Sequence, residues 1–155
     1  MSIIFYTPPF RGIGVLCHEI GHALGLPDLY RGTSDGNIVG KFDIMSVDTN
    51  PPQSFFAYTI FQYFPEWETL IPTISQTGIY TLNPLNSVGS NQVSAYRINS
   101  PFPNVTEYFI LENRNHISHN FIDTQLPGSG LIIYRVNSTV TIGNKSGPPF
   151  ELYVF

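Results

Sequence analysis

Two histidines four residues apart, with a glutamate directly after the first, form the segment of this chain best suited to chemistry. The segment reads His18-Glu19-Ile20-Gly21-His22. On a helix, residues i and i+4 share a face, so the imidazoles of His18 and His22 can bind one metal ion. Glu19 then lies beside that ion, where its carboxylate can act on a bound water as a general base. The H-E-x-x-H pattern therefore predicts a zinc-binding helix with Glu19 as its catalytic residue.

The residues after this helix offer a candidate for a third ligand, which a catalytic zinc site needs. Gly25 suits the left-handed conformation that ends many helices, and Pro27 blocks helical continuation. Asp28 follows with a carboxylate that can complete the site. An aspartate here also suits a plain turn, and the residues alone leave that alternative open. Our prediction is that His18, His22 and Asp28 hold the metal.

A run further along the chain looks like the Met-turn of metzincin peptidases, in which a methionine lies beneath the metal site. Met45 stands in the run Phe42-Asp43-Ile44-Met45-Ser46, after a loop rich in glycine. A methionine side chain is apolar, polarizable and adaptable in shape. Together with H-E-x-x-H-x-x-G-x-x-D, this run resembles the metzincin pattern, in which a histidine stands at the position of Asp28. The aspartate would leave the site one charge less positive than a third neutral histidine would.

The combination of these segments resembles the immune inhibitor A family of secreted metallopeptidases. The resemblance extends from about Val15 to Val136. It includes the run Leu26-Pro27-Asp28-Leu29-Tyr30 and the later segments Glu107–Arg114 and Leu126–Val136. It implies a zinc-dependent endopeptidase that hydrolyses protein or peptide substrates outside the cell. Calcium, which is common among such extracellular proteases, is implied as a second candidate cofactor.

The same resemblance leads to a competing hypothesis. It implies a sheet on the N-terminal side of the zinc helix, whose edge strand binds the substrate, whereas only about twelve residues precede the helix here. We therefore expect a partner in the form of an N-terminal segment of the same protein. The alternative function is a catalytically incomplete fragment that acts as a β-rich extracellular binding or structural module. A third hypothesis, a structural module with a chance motif, predicts no bound zinc.

The composition argues against several classes of partner and location. The charged fraction is 12% and the net charge is −4, without any basic run, which argues against a nucleic-acid partner. No apolar run of roughly 18 residues exists, so no membrane span is expected. The chain start lacks the features of a signal peptide, so an extracellular location rests on the resemblance. Cys17 is the only cysteine, which excludes an internal disulfide.

Periodicity and chain breakers predict an α+β fold in two parts. Residues 1–70 should form the C-terminal half of a metzincin-like catalytic domain. They should contain the zinc helix from Ile13 to Leu24 and a second helix from Ser54 to Trp67, with Ser54 as its N-cap. Residues 71–155 should form a β-rich, sandwich-like domain with antiparallel strands. The predicted strands cover 78–82, 92–98, 108–114, 130–136 and 151–155.

The first helix should pack against the protein through its apolar residues, which are Leu16, Ile20, Ala23 and Leu24. Gly14 and Gly21 each weaken an isolated helix by about 1 kcal/mol. Their presence predicts that another backbone or a substrate comes close to the helix.

Other polar clusters are weaker candidates. His116 and His119 lie near Asp123 and could approach a metal, but we expect them to be loop residues beside a strand. Glu112 and Arg114 alternate onto one strand face, where a structural ion pair is expected.

Asp43 and Asp48 flank Met45 and could either cap turns or help to bind calcium. No EF-hand pattern accompanies them.

Overall fold

The computed structural model shows an α+β fold, which confirms the predicted class. It describes residues 12–32, 37–67, 70–86, 92–103, 105–117 and 121–155. Helix α1 covers Ile13–Ala23, and helix α2 covers Ala57–Tyr63. The strands are β1 at Ala95–Asn99, β2 at Glu107–Arg114, β3 at Gly130–Asn137 and β4 at Leu152–Val154. None of the helices in these ranges is long and apolar enough to cross a membrane.

The four strands form one antiparallel sheet in which each strand pairs with the next along the chain. Alternate residues of β2 are buried, and these are Tyr108, Ile110, Glu112 and Arg114. Because side chains of a strand alternate between faces, two charged residues share the inner face with the apolar core. The described strands make a single sheet, and no second sheet faces it within the described ranges, so the sandwich-like arrangement is not seen.

The strand predicted at 78–82 is wrong. This segment has no strand assignment, and Ile79 is fully exposed. The hydroxyl of Tyr80 donates to the carbonyl of Gln76 at 2.8 Å, and the Leu82 carbonyl accepts from the Asn113 side chain at 3.1 Å, so these hydrogen bonds involve side chains and not a strand ladder. A β-prone sequence forms a strand only when a neighbouring strand and a buried face receive it.

Helix α2 is shorter than predicted and is capped by distant side chains. Its N-cap is Phe56 rather than Ser54, and no local side chain makes a capping bond. Instead, Asp43 Oδ2 accepts a hydrogen bond from the Phe56 amide at 2.7 Å. Glu112 Oε2 accepts one from the amide of the first helical residue at 2.8 Å. Two buried carboxylates therefore satisfy the free amides at the positive end of the helix.

One hydrophobic core draws on both halves of the chain. It joins residues of the first half, such as Leu26, Met45 and Phe56, to residues of the sheet, such as Ile110 and Tyr134. The rings of Phe56 and Tyr134 stack with centroids 4.4 Å apart. Each such side chain contributes about 1.5–3 kcal/mol on full burial. The division into domains at residue 70 stays a prediction, although this core spans it.

The buried side of α1 differs from the predicted one. The residues predicted to pack are exposed, with exposed fractions of 55% for Leu16, 48% for Ile20 and 54% for Leu24, and Ala23 is exposed as well. The buried residues of the helix are Gly14, His18 and Gly21. The prediction failed because it assumed that large apolar side chains mark the packed side. Glycines allow a neighbouring segment to pack directly on the helix backbone.

Both glycines permit a close approach, as predicted. A Cβ atom at Gly14 would overlap the carbonyl oxygen of Thr49, and one at Gly21 would lie 2.5 Å from Sδ of Met45. The loop that contains Met45 therefore lies against the helix that carries the two histidines.

Gly14→Ala should lower the free energy of unfolding by about 1–3 kcal/mol, although alanine is the better helix former by about 1 kcal/mol. The added methyl group meets backbone atoms of Thr49, which cannot rotate away. Urea unfolding measures the change. In the control, Gly128→Ala, the added Cβ meets no atom within 4 Å, and we expect a change of no more than about 0.5 kcal/mol. Equal effects of the two substitutions would contradict this packing of α1.

Candidate metal centre

A left-handed glycine ends α1 and turns the chain back toward the histidines. Gly25 has a φ of 95°. The amides of Leu26 and Gly25 donate to the carbonyls of Gly21 and His22, each at 3.0 Å. This pair of bonds is a Schellman motif, which satisfies the last carbonyls of a helix. The turn brings Asp28 back beside the helix, so Gly25 has the role that the sequence predicted.

The three residues predicted as metal ligands lie together. One ligand atom from each of His18, His22 and Asp28 falls within 4.8 Å of the others. Asp28 Oδ1 is 3.4 Å from Nε2 of His18 and 3.0 Å from Nε2 of His22. With metal–ligand bonds of about 2.0–2.1 Å, tetrahedral ligands lie roughly 3.3 Å apart. These separations therefore fit a metal ion of the size of zinc.

Backbone carbonyls orient both imidazole rings. Nδ1 of His18 lies 2.8 Å from the carbonyl oxygen of Ile44, and Nδ1 of His22 lies 2.9 Å from that of Leu26. Because a carbonyl oxygen only accepts hydrogen bonds, each Nδ1 must carry the proton. With Nδ1 engaged in this way, each ring directs Nε2 toward the site, and the outer hydrogen bond holds the ring in an orientation that suits metal binding.

One oxygen of the Asp28 carboxylate accepts a hydrogen bond, and the other has no hydrogen-bond donor among the described residues. Its side chain is 5% exposed. Oδ2 accepts a hydrogen bond from Nζ of Lys145 at 2.8 Å, whereas Oδ1 is buried and has no hydrogen-bond partner among the described residues. A buried oxygen without a partner is unfavourable. A cation bound between Oδ1 and the two Nε2 atoms would remove this penalty. Two imidazoles and one carboxylate are a donor set that catalytic zinc uses.

Lys145 keeps Asp28 ionised. Burial is the largest influence and raises the pKa of Asp28. The hydrogen bond from Lys145 acts against it, as do the charge of Lys145 and that of His22 in its protonated form, and the net result is a pKa below the usual value. The same hydrogen bond raises the pKa of Lys145. At neutral pH the pair is therefore a carboxylate and an ammonium.

Tyr30 and Glu19 flank this group. The Tyr30 ring lies nearly parallel to that of His18, at 29° and with centroids 6.2 Å apart. Partial burial, followed by the negative charge of Asp28, raises the pKa of the Tyr30 phenol, and Glu19 adds to this effect. The Tyr30 phenol therefore keeps its proton at physiological pH and can donate a hydrogen bond. Glu19 is exposed, which leaves its carboxylate accessible to water and to a substrate.

Met45 is completely buried and packs against α1 at Gly21. Asp43 Oδ1 accepts a hydrogen bond from the Met45 amide at 2.8 Å. Arg114 donates to the carbonyl of Phe42 at 2.8 Å. The turn that supplies the Ile44 carbonyl to His18 is thus held by two side chains.

Asp43 caps turns, which was one of its two predicted roles. Its Oδ1 binds the Met45 amide, and its Oδ2 binds the Phe56 amide and the Thr59 hydroxyl. Among the described residues, the group of His18, His22 and Asp28 is the only cluster able to hold a metal. The prediction of calcium therefore has no support there.

Arg114, on strand β2, connects the turn that contains Met45 to the sheet. Its guanidinium lies 3.1 Å from Glu112 Oε1 and 2.8 Å from Asp123 Oδ1, and all three side chains are fully buried. The predicted ion pair between Glu112 and Arg114 is confirmed.

This cluster also accounts for Asp123, which binds Arg114 and the Ser54 hydroxyl. His116 is half-buried, and its Nδ1 lies 2.7 Å from the Ser129 hydroxyl. The weaker metal candidate that combined His116, His119 and Asp123 is thus not seen, and His119 lies outside the described residues.

Sequence reasoning missed Lys145 and the two carbonyls that orient the histidines. Lys145 lies 117 residues from Asp28 along the chain, and no motif connects them. The carbonyls of Leu26 and Ile44 carry no sequence signal, because every residue has one. Tyr30 was named only as part of the run that carries the family resemblance, and no role was predicted for it.

The comparisons with known proteins bear on the first third of the chain. Residues 3–51 match the family model described as immune inhibitor A peptidase M6, catalytic domain. The later strands that entered the sequence resemblance lie outside this match. No curated protein and no solved structure matches the chain. The matched segment contains the H-E-x-x-H pattern, Asp28 and Met45. It supports the similarity to this peptidase family and suggests that the protein is a metallopeptidase.

Proposed function

We propose that this protein is a zinc-dependent endopeptidase in which His18, His22 and Asp28 hold the metal. The observation that carries the proposal is the buried Oδ1 of Asp28, which lacks a hydrogen-bond donor and faces the Nε2 atoms of both histidines. A bound zinc ion polarises a substrate carbonyl and lowers the pKa of a bound water toward neutrality. The similarity of residues 3–51 to a peptidase family adds independent support.

Glu19 is the general base of this proposal. Its carboxylate accepts a proton from the water that attacks the peptide carbonyl. It then passes that proton to the amine nitrogen as the carbon–nitrogen bond breaks. Because water is the nucleophile, no covalent bond to the protein is needed. Glu19 is exposed, so its carboxylate can reach a water or a substrate and transfer the proton. The two histidine rings, in contrast, are held by backbone carbonyls.

We extend the proposal to a protein or peptide substrate and to an extracellular location. Members of the matched family are typically secreted, which supports the location. One observation favours the second candidate, a β-rich module without hydrolytic activity. The apolar residues of α1 are exposed, and a complete catalytic domain would be expected to bury such a surface.

Metal analysis combined with casein digestion tests the two candidates. An endopeptidase should bind one zinc ion per chain and cleave casein. Cleavage should stop with a chelator and return with zinc. Zinc binding without cleavage would favour the second candidate. A folded protein that takes up no ion from excess zinc would contradict the proposed metal centre.

Asp28→Asn should lower the affinity for zinc by at least about tenfold, since even partners that only orient a ligand are worth 10–100-fold. The amide has nearly the same shape but no charge, so the loss would report on the ligand role and not on packing. Competition with a zinc-binding dye measures the affinity. Asp48→Asn, outside the candidate centre, is the control and should bind zinc as the wild type does. An unchanged affinity in Asp28→Asn would assign Asp28 to a structural turn.

A further inference from the structure

The two carboxylate oxygens of Asp28 have different neighbours. If the proposed zinc site exists, this difference determines which oxygen can bind the metal. Oδ1 faces the two histidines without a hydrogen-bond donor. Oδ2 accepts a hydrogen bond from Nζ of Lys145 at 2.8 Å. One side of the carboxylate is thus open to a cation, and the other side is engaged by a cation that belongs to the protein.

The position of Lys145 is set by its backbone. The loop between β3 and β4 lies directly against Asp28, since the amide of Asn144 donates to the Asp28 carbonyl at 2.8 Å. The buried Asn144 side chain donates to the carbonyls of Leu29 and Leu152, at 3.0 Å and 2.8 Å. A Cβ atom at Gly143 would overlap the Asp28 carbonyl, so glycine is required for this contact.

The ion pair has little value for stability. The Asp28 side chain is buried, but the Lys145 side chain is 64% exposed, so water and salt screen the charge of the ammonium and limit what the pair contributes. The effect of Lys145 should therefore lie in the arrangement of the carboxylate and not in the energy of folding.

A carboxylate can bind a metal ion through one oxygen or through both. A catalytic zinc site keeps a fourth position open for water or substrate, and an aspartate bound through both oxygens would crowd that position. We propose that Lys145 is a positioning residue that occupies Oδ2, so that Asp28 binds the metal through Oδ1 alone and the fourth position stays open.

Cobalt(II) substitution tests this proposal, because the visible absorption of cobalt weakens as its coordination number rises. Lys145→Met should bind one cobalt ion with an affinity within about threefold of the wild type, since the ammonium is largely in water and its charge is screened. Its visible bands should be clearly weaker. Lys145→Arg should keep the wild-type spectrum, because a guanidinium also donates to a carboxylate. With zinc, Lys145→Met should cleave casein about tenfold more slowly.

Lys41→Met serves as the matched control, because Lys41 is an exposed lysine outside the site. Its spectrum should equal that of the wild type. An unchanged spectrum in Lys145→Met would overturn the inference, and so would loss of the metal, which would make Lys145 an anchor for the ligand. If the wild type itself fails to bind cobalt or zinc, the proposed function fails instead, so the two failures are distinguishable.

Discussion

Glu19→Gln should reduce casein cleavage by about 10²–10⁴-fold, the usual contribution of a general acid–base residue. The amide cannot accept the proton of the attacking water. The bound zinc should remain at one ion per chain, because Glu19 is not among the residues whose ligand atoms converge. Turnover of a fluorogenic peptide, together with metal analysis of the same sample, measures both quantities.

Two further variants sharpen this result. His18→Ala should lose both the metal and the activity, because it removes a proposed ligand whose ring the Ile44 carbonyl orients. Glu66→Gln changes an exposed glutamate on the short turn after α2 and should leave activity intact. A fully active Glu19→Gln enzyme would remove Glu19 from the mechanism. Loss of zinc from that variant would give the carboxylate a role in binding instead.

Arg114→Met should lower the free energy of unfolding by about 3–5 kcal/mol, the range for breaking one side of a buried ion pair. Glu112 and Asp123 would remain buried without their shared cation. The carbonyl of Phe42, next to the Met45 turn, would also lose its donor. Urea unfolding followed by tryptophan fluorescence measures the change.

Arg135→Met is the matched control, since Arg135 pairs with Glu107 at 3.6 Å and both side chains are 32% exposed. We expect a loss of no more than about 1 kcal/mol there. Similar losses in the two arginine variants would mean that the buried cluster does not support the fold as described.

The stability deficit of Arg114→Met should also depend on pH. Burial already raises the pKa of Glu112 above its usual value of 4.5, and the charge of Arg114 works against that rise. Without Arg114 the folded state should bind a proton on Glu112 more readily. Because a raised folded-state pKa means that stability is lost as pH rises through it, the deficit should be larger at pH 8 than near pH 5. A deficit that does not vary with pH would argue that the lost packing of the arginine dominates.

The sequence predicted the local parts of this structure well. The H-E-x-x-H spacing, Gly25 and Pro27 together predicted the extent of α1 to within one residue, because helical periodicity and capping depend on near neighbours. β-prone runs bounded by Pro, Gly and Asn predicted β2 and β3, which also depend on near neighbours. The grouping of His18, His22 and Asp28 was also predictable, since all three lie within a single helix and the turn that ends it.

Prediction failed where the outcome depends on contacts between distant segments. The buried side of α1 is set by the loop that packs on Gly14 and Gly21, and hydrophobicity alone does not reveal it. The start of α2 is set by carboxylates of Asp43 and Glu112, which displaced the local cap expected at Ser54. The segment 78–82 has strand-forming residues but no neighbouring strand to pair with among the described residues.

By itself, the sequence determined which residue types could bind a metal and where the helix that carries two of them ends. Spacing along one helix and a helix-ending glycine are sufficient for that, because they act over a few residues. Only the tertiary structure decided that Lys145 engages one oxygen of Asp28 and that Arg114 joins the Met45 turn to the sheet. Both contacts join residues far apart in the chain, so they exist only after the core has brought the two halves together.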